Sequence, residues 1–196
     1  MDRLAAIRGE IGSACHFRLH AALHRRGFAH IPRFVRRWDA MIQCFKFTVA
    51  VNQGGLFAPD RAASFSGMPF ATSTDYQIPC RILYDYIGVT HDGKLTSCCV
   101  DYREAFVVGH LEDGLAKGFE NAASRELRHR HERGDFGPLC GSCGFNNVLV
   151  DWFEDEINAW VEEHREGLVS GSADQAFSRF LDETVEKFNR IAESPP

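Results

Sequence analysis

Leu4, Ile7 and Ile11 recur at helical spacing and Gly12 follows, which predicts an opening helix that stops there. From Cys15 to Leu23 the pattern becomes an alternation. Cys15, Phe17, Leu19 and Ala21 point one way, and His16, Arg18 and His20 the other, as on a strand. Phe34, Val35, Trp38, Met41 and Ile42 form a helix stripe within residues 31–42, and Phe45 to Val51 is a short apolar run rich in β-formers, read as a second strand. The order helix–strand–helix–strand suits a parallel α/β unit.

Between 52 and 79 the chain changes character, with Gly54, Gly55, Pro59, Gly67 and Pro69 among Ser and Thr. This is a long irregular connection, and a domain boundary is expected inside it. Asp92-Gly93 then predicts a two-residue hairpin turn between Leu83–His91 and Lys94–Val100. Residues 111–133 read as one helix, with Leu115, Phe119, Ala122, Leu127 and His131 as buried candidates. Cys140 to Asn147 is a Gly-rich loop. Two amphipathic helices, Asp151–Arg165 and Ala173–Ala192, follow, joined by the linker Gly167–Ser172. In the first of them Trp152, Phe153, Ile157, Trp160 and Val161 form a stripe suited to a core or partner interface. There is no internal repeat.

A chain of 196 residues, 44% hydrophobic, can bury a real core and divide into one or two domains. Its net charge of −5 with mixed signs argues against a nucleic-acid binder, which would carry a basic excess. The local basic clusters, Arg25 to Arg37 and Arg125 to Arg133, read as solvated helix faces. Met1 is followed by Asp2 and Arg3 rather than by a basic stretch and an apolar core, and no apolar run is long enough to span a bilayer. The expectation is a cytoplasmic protein, with no membrane partner, whose thiols stay reduced and available to metals.

The chain has seven cysteines, an odd number that suits a disulfide framework poorly. Cys15 and Cys44 read as small buried hydrophobes. The other chemistry centres on two separated pairs. Cys80 is followed by twelve residues, Gly93, four residues and Cys98, and forty-one residues later comes Cys140-Gly-Ser-Cys143. A Cys-x-x-Cys knuckle lets two thiolates converge on one metal centre. Gly141 and Gly144 are expected to remove bulk there and let backbone amides approach the sulfurs. Core packing and a dithiol redox pair are weaker readings, since the knuckle lies in a polar Gly-rich loop with Pro138 nearby. Four thiolates suit either tetrahedral zinc or an iron–sulfur cluster, and spacing alone leaves both open.

The stretch from Cys80 to Cys143 resembles the SPASM or twitch domain found C-terminal to radical-SAM barrels. The resemblance is carried by Cys–x12–Gly–x4–Cys, D-G-K-L-T-S-C-C-V-D-Y, V-V-G-H-L-E-D-G-L, E-L-R-H-R-H-E-R-G-D and P-L-C-G-S-C. No cysteine follows Cys143, so the chain looks like the one-cluster twitch version. The resemblance implies that Cys80, Cys98, Cys140 and Cys143 together hold one auxiliary [4Fe-4S] cluster, with zinc as the alternative. It also implies an α+β protein in three parts. Residues 1–60 form a partial α/β unit similar to the end of a radical-SAM partial barrel. Residues 75–147 form the SPASM/twitch-like domain with its β-hairpin, and residues 148–196 a helical extension.

The Cys-x-x-x-Cys-x-x-Cys loop that binds S-adenosylmethionine in radical-SAM enzymes does not occur in this sequence. The chain by itself is therefore expected not to cleave S-adenosylmethionine. The implied role is electron transfer or substrate positioning within a radical-SAM oxidoreductase or a peptide- or carbohydrate-modifying system. The implied partner is a radical-SAM barrel subunit or a second copy of the chain, met through the exposed edge of the 1–50 unit. The other reading is a stand-alone zinc or iron–sulfur protein without catalysis, and the sequence names no substrate.

Three finer expectations concern the surroundings of the cysteines. Cys98 is chosen as the ligand over Cys99, which a straight strand would turn to the other face with Leu95 and Ser97 as a packed thiol. With Asp92-Gly93 as the turn, Ile87 would lie opposite Cys98, so residues 80–86 must curl back to bring Cys80 within reach. His131 is placed to donate toward a cluster sulfur or simply to pack. Asp101 and Tyr102 are candidates to face a substrate or to end a strand as surface polar groups.

Overall fold

The computed structural model describes residues 2–52, 67–141 and 143–194. Much of the irregular connection expected over 52–79, with Gly54, Gly55 and Pro59, lies outside the described residues. The architecture is α+β, with many helices around two small sheets.

Helix α1 (Asp2–Glu10) ends before Gly12, whose φ of +61° takes the chain out of the helix. Strands β1 (Arg18–Leu23) and β2 (Cys44–Val49) pair in parallel from Arg18 opposite Cys44 to Leu23 opposite Val49. Helices α2 (Arg25–Phe28) and α3 (Ile31–Trp38) make the crossover, giving the expected α/β unit. His24 starts α2, its Nδ1 accepting from the N–H groups of Arg26 and Gly27 at 3.1 and 3.3 Å. Strand β1 begins three residues later than the alternation predicted. Gln43 precedes β2 and holds Phe17 from both sides, its side chain accepting from Phe17 N–H at 2.7 Å and its N–H donating to Phe17 C=O at 3.0 Å. Cys15 is therefore exposed rather than packed, and Cys44 is half-buried.

Period-2 burial on β2 sends Phe45, Phe47 and Val49 into the core. The helices α8 (Val148–Glu163), α9 (Arg165–Ser170) and α10 (Asp174–Glu193) supply the rest of the same core. Phe153 sits at its hub, with ring centroids 5.4 Å from Phe28, 5.0 Å from Phe70 and 5.7 Å from Phe188. In the α8 stripe Phe153, Ile157 and Val161 are buried, whereas Trp152 is half exposed. The linker read over 167–172 is mostly helix, because Leu168 is fully buried and anchors α9 to the core. Arg36 holds this corner by donating to Leu168 C=O at 3.3 Å and to both oxygens of Asp174 at 2.7 Å.

Helix α8 also covers the outer edge of β2. The Asn158 carboxamide accepts from Phe47 N–H and donates to Phe47 C=O, both at 2.8 Å, as a neighbouring strand would. One turn earlier the Glu154 carboxylate accepts from Val49 N–H at 2.7 Å. Burial pushes the Glu154 carboxyl up to about 7.

The second sheet is an antiparallel meander of β3 (Gly88–Val89), β4 (Lys94–Thr96) and β5 (Val107–His110). Its first turn lies where expected but is one residue longer. Gly88 faces Thr96 and Val89 faces Leu95, so the turn spans residues 91–93 and closes on Thr90 N–H donating to Lys94 C=O at 2.9 Å. Gly93, at φ +80°, supplies the left-handed position of such a turn. This register moves the residue opposite Cys98 from Ile87 to Tyr86, and β4 ends at Thr96, so neither Cys98 nor Cys99 lies on a strand.

The expected single helix over 111–133 is broken. A 3-10 turn at Leu111–Asp113 leads into α5 (Leu115–Glu120), and α6 (Ala122–Glu132) starts afresh. Asn121 makes the break: its Oδ1 caps α6 by accepting from Ser124 N–H at 2.9 Å, and its Nδ2 donates to Val108 C=O. Leu127 and His131 are buried as expected, while Leu115 is exposed. No helix among the described residues is long and apolar enough to cross a membrane.

Candidate metal centre

Cys80 follows residues that bind the chain after the knuckle. Gln77 bridges to Asn147, and Ile78 N–H donates to Asn146 C=O at 2.8 Å. Beyond Cys80 the chain curls into the short helix α4 (Ile82–Asp85), begun by Leu83 N–H donating to Cys80 C=O at 3.1 Å. This is the curl that the hairpin geometry demanded. Cys98 lies just past the end of β4. Cys140 closes α7 (Gly137–Cys140), and Cys143 N–H donates to Cys140 C=O at 3.1 Å in a tight knuckle.

These three segments bring Cys80, Cys98, Cys140 and Cys143 to the lining of one cavity. Its other walls are Ile82, Leu83, Val100, Phe106, Leu139, Phe145 and Asn146. Among the described residues no three His, Cys, Asp or Glu side chains form a group that could hold a metal ion, and what the four cysteines share is the lining of this cavity. Cys99 is exposed and not part of the lining. The expectation that it packs beneath the sheet fails because the chain leaves the strand before reaching it, although Leu95 and Ser97 are buried.

The electrostatics follow from this enclosure. Burial pushes the Cys80 thiol up, with Cys143 and Cys99 adding to the rise and the N–H groups of Ile82 and Leu83 opposing it. Cys98 is pushed up to about 11 by burial and by Cys99, Cys143 and Cys80, against the Val100 N–H. Cys140 is pushed up to about 12 by burial and by Cys143, Cys98 and Cys80, with Arg130 opposing. Cys98 and Cys140 are thus each raised by other cysteines of the cavity as well as by burial. Soft sulfur donors held this way match a group whose positive charge offsets their repulsion.

Polar atoms left over at the same place point the same way. Four buried side-chain atoms have no hydrogen-bond partner among the described residues, and three of them belong to His131 and Asn146. His131, 1% exposed, accepts at Nδ1 from Cys80 N–H at 3.3 Å, which puts its proton on the unpaired Nε2. Burial lowers its pKa, with Arg130 adding to the effect and Asp135 opposing it. It packs edge-on against Phe136, with centroids 5.0 Å apart. The donor set, with the partnerless amide of Asn146 among the lining residues, fits a metal–sulfur group in the cavity.

Two expectations about the surroundings of the cysteines are revised. The amides of Gly141 and Gly144 do not point at sulfur, because Gly141 N–H donates to Gly137 C=O and Gly144 N–H to Asn52 C=O, both at 2.9 Å. Their lack of side chains does matter: a Cβ on Gly144 would sit 2.4 Å from Val51 Cβ, and one on Gly141 would sit 2.7 Å from Gly137 O. Asp101 is no surface group. It is buried and organises its own loop, its carboxylate accepting from Ala105 and Phe106 N–H at 2.9 and 2.7 Å, while Tyr102 is exposed.

Two residues that hold the backbone around the cysteines carry no signal in the sequence reading. Gln77 holds the knuckle, its Nε2 donating to Cys140 C=O at 3.2 Å and to Gly141 C=O at 2.8 Å. Arg128 ties α6 to the chain beyond Cys80, donating to Leu83 C=O at 3.2 Å and to Phe119 C=O at 2.6 Å.

No curated protein and no solved structure matches the chain. Residues 80–144, the stretch that carries all four cavity cysteines, match the family model of SPASM, an iron-sulfur cluster-binding domain, and this match indicates that the protein binds an iron–sulfur cluster.

Proposed function

We propose that Cys80, Cys98, Cys140 and Cys143 are the four ligands of one [4Fe-4S] cluster, and that the protein serves electron transfer or substrate positioning in a radical-SAM system. The observation that carries this reading is the convergence of four thiols from three separate chain segments on one cavity walled mainly by apolar residues, within the matched stretch. Bound there, a [4Fe-4S] group supplies a one-electron redox couple. The residues around it hold the thiols in place: Gln77 fixes the knuckle, His131 fixes the backbone at Cys80, and the apolar walls limit water.

The proposed partner is a radical-SAM barrel subunit or a second copy of this chain, and the proposed compartment is the cytoplasm. The two-stranded sheet supports the partner: Asn158 and Glu154 cover the outer edge of β2, and no strand among the described residues lies beside β1. The β1–β2 unit is proposed as the counterpart of the end of a partial barrel.

Anaerobic purification followed by elemental and sulfide analysis tests the cluster. The expected result is about four irons and four sulfides per chain. About one zinc and no sulfide would replace it with a structural zinc site. With a strong reductant and S-adenosylmethionine, the isolated chain should yield no 5′-deoxyadenosine above a no-protein control. Any such yield would contradict the assignment of that chemistry to a partner.

A further inference from the structure

Asn146 and Asn147 are adjacent and equally buried, at 2% and 1% exposure, yet their amides are used in opposite ways. Asn147 is fully engaged: Nδ2 donates to the carbonyls of Phe70 and Ser73, both at 3.0 Å, and Oδ1 caps α8 by accepting from Leu149 N–H at 2.9 Å. Among the described residues Asn146 has a hydrogen-bond partner at neither Nδ2 nor Oδ1, although it is one of the residues that line the cavity shared by the four thiols. Burying an unpaired amide costs on the order of 2–7 kcal/mol. Apart from the four cysteines, the other residues of the cavity wall have no polar side-chain atom to relieve that cost.

Thiolate and sulfide sulfurs only accept hydrogen bonds, and a thiolate-ligated cluster is rich in negative charge. Of the two ends of the carboxamide, the N–H end is complementary to such an occupant whichever way the amide is turned. We propose that Asn146 is a positioning residue whose Nδ2–H donates to a sulfur of the metal group held by Cys80, Cys98, Cys140 and Cys143. In doing so it stabilises the more negative, reduced state and raises the reduction potential. The inference rests on the metal-centre reading above. His131 is the nearest comparison, but its ring is not part of the cavity wall and its bond goes to the Cys80 backbone, so it holds a ligand rather than the group.

The test compares the anaerobically purified full chain with Asn146→Leu, which keeps volume and removes the amide, and with Asn146→Asp, which replaces the donor by an acceptor. Iron and sulfide are measured first, then the potential by spectroelectrochemical titration. Asn146→Leu should keep its cluster and shift the one-electron reduction equilibrium about tenfold toward the oxidised form, about 59 mV. Asn146→Asp should shift it further in the same direction. Asn147→Ala serves as the control, lowering thermal stability while leaving the potential of loaded protein unchanged. Fully loaded Asn146 variants with the parent potential would overturn the inference while leaving the cluster intact. If the parent holds zinc instead, the cluster reading fails and the inference is read from zinc release to a chelator, faster in Asn146→Leu if the amide bonds a thiolate. Unchanged release, or a parent chain that binds neither, overturns it.

Discussion

In the half of the molecule formed by β1, β2 and the helices α8 to α10, Phe28, Phe47, Phe70, Phe153, Phe177 and Phe188 are each at most 1% exposed and belong to one continuous core. Between Ile78 and Asn147 the buried apolar side chains outside that core are few: Leu83, Leu95, Val100, Val108, Leu127 and Cys143. There the chain is held instead by polar staples from Gln77, Asp101, Asn121 and Arg128 around a cavity lined with thiols. A region with so little apolar burial depends on something other than a hydrophobic core. The two halves meet at Gly144, which packs against Val51, so the knuckle is seated on the stable half.

The largest expected difference separates two adjacent residues of the cysteine half. Cys98→Ala should lose most of the bound iron, whereas Cys99→Ala, which removes an exposed thiol outside the cavity lining, should keep it. Iron and sulfide per chain decide this, and the reverse outcome would remove the cavity assignment.

In the other half Phe153→Ala empties the aromatic hub and should cost about 3–5 kcal/mol in denaturant unfolding. Iron per folded chain should hold steady. A loss of iron matching the loss of stability would mean that the halves are not distinct. Asn158→Leu should cost less, about 1–3 kcal/mol, by leaving the backbone groups of Phe47 unpaired at the β2 edge. The same denaturation measurement reads it.

The smallest effect is a pH dependence. The carboxyl of Glu154 is raised in the folded protein, so the folded state holds its proton where the unfolded state has released it. The stability that this proton contributes is fully present below the ordinary glutamate range and is lost as pH rises through about 7. Comparing the parent with Glu154→Gln at pH 5 and pH 8 should show the variant gaining on the order of 1–2 kcal/mol relative to the parent at the higher pH. A constant difference across that range would contradict it.

What the sequence disclosed divides along the same line. Period-2 burial at Phe45, Phe47 and Val49 and the stripe of Phe153, Ile157 and Val161 were legible because apolar spacing reports directly on a hydrophobic core. In the cysteine half the knuckle and the need for a curl after Cys80 were legible from spacing and reach. The hairpin register was not, because Asp92-Gly93 fits two turn lengths and only the closure on Thr90 selects the longer. The break at Asn121 left a usable signal, an asparagine directly before a helical run, which propensity alone overrode. Gln77 and Asn146 gave none, since a polar residue in a loop looks the same whether it faces water or the protein interior.

Hydrogen exchange followed residue by residue, before and after the bound metal is stripped with a chelator under anaerobic conditions, tests the central claim most directly. Stripping should cost the amides of β3 to β5, α4 and the Cys140–Cys143 knuckle most of their protection, while those of β2, α8 and α10 keep theirs. Equal loss in both halves, or protection unchanged around the cysteines, would contradict an account in which one half stands on its hydrophobic core and the other on the group its thiols hold.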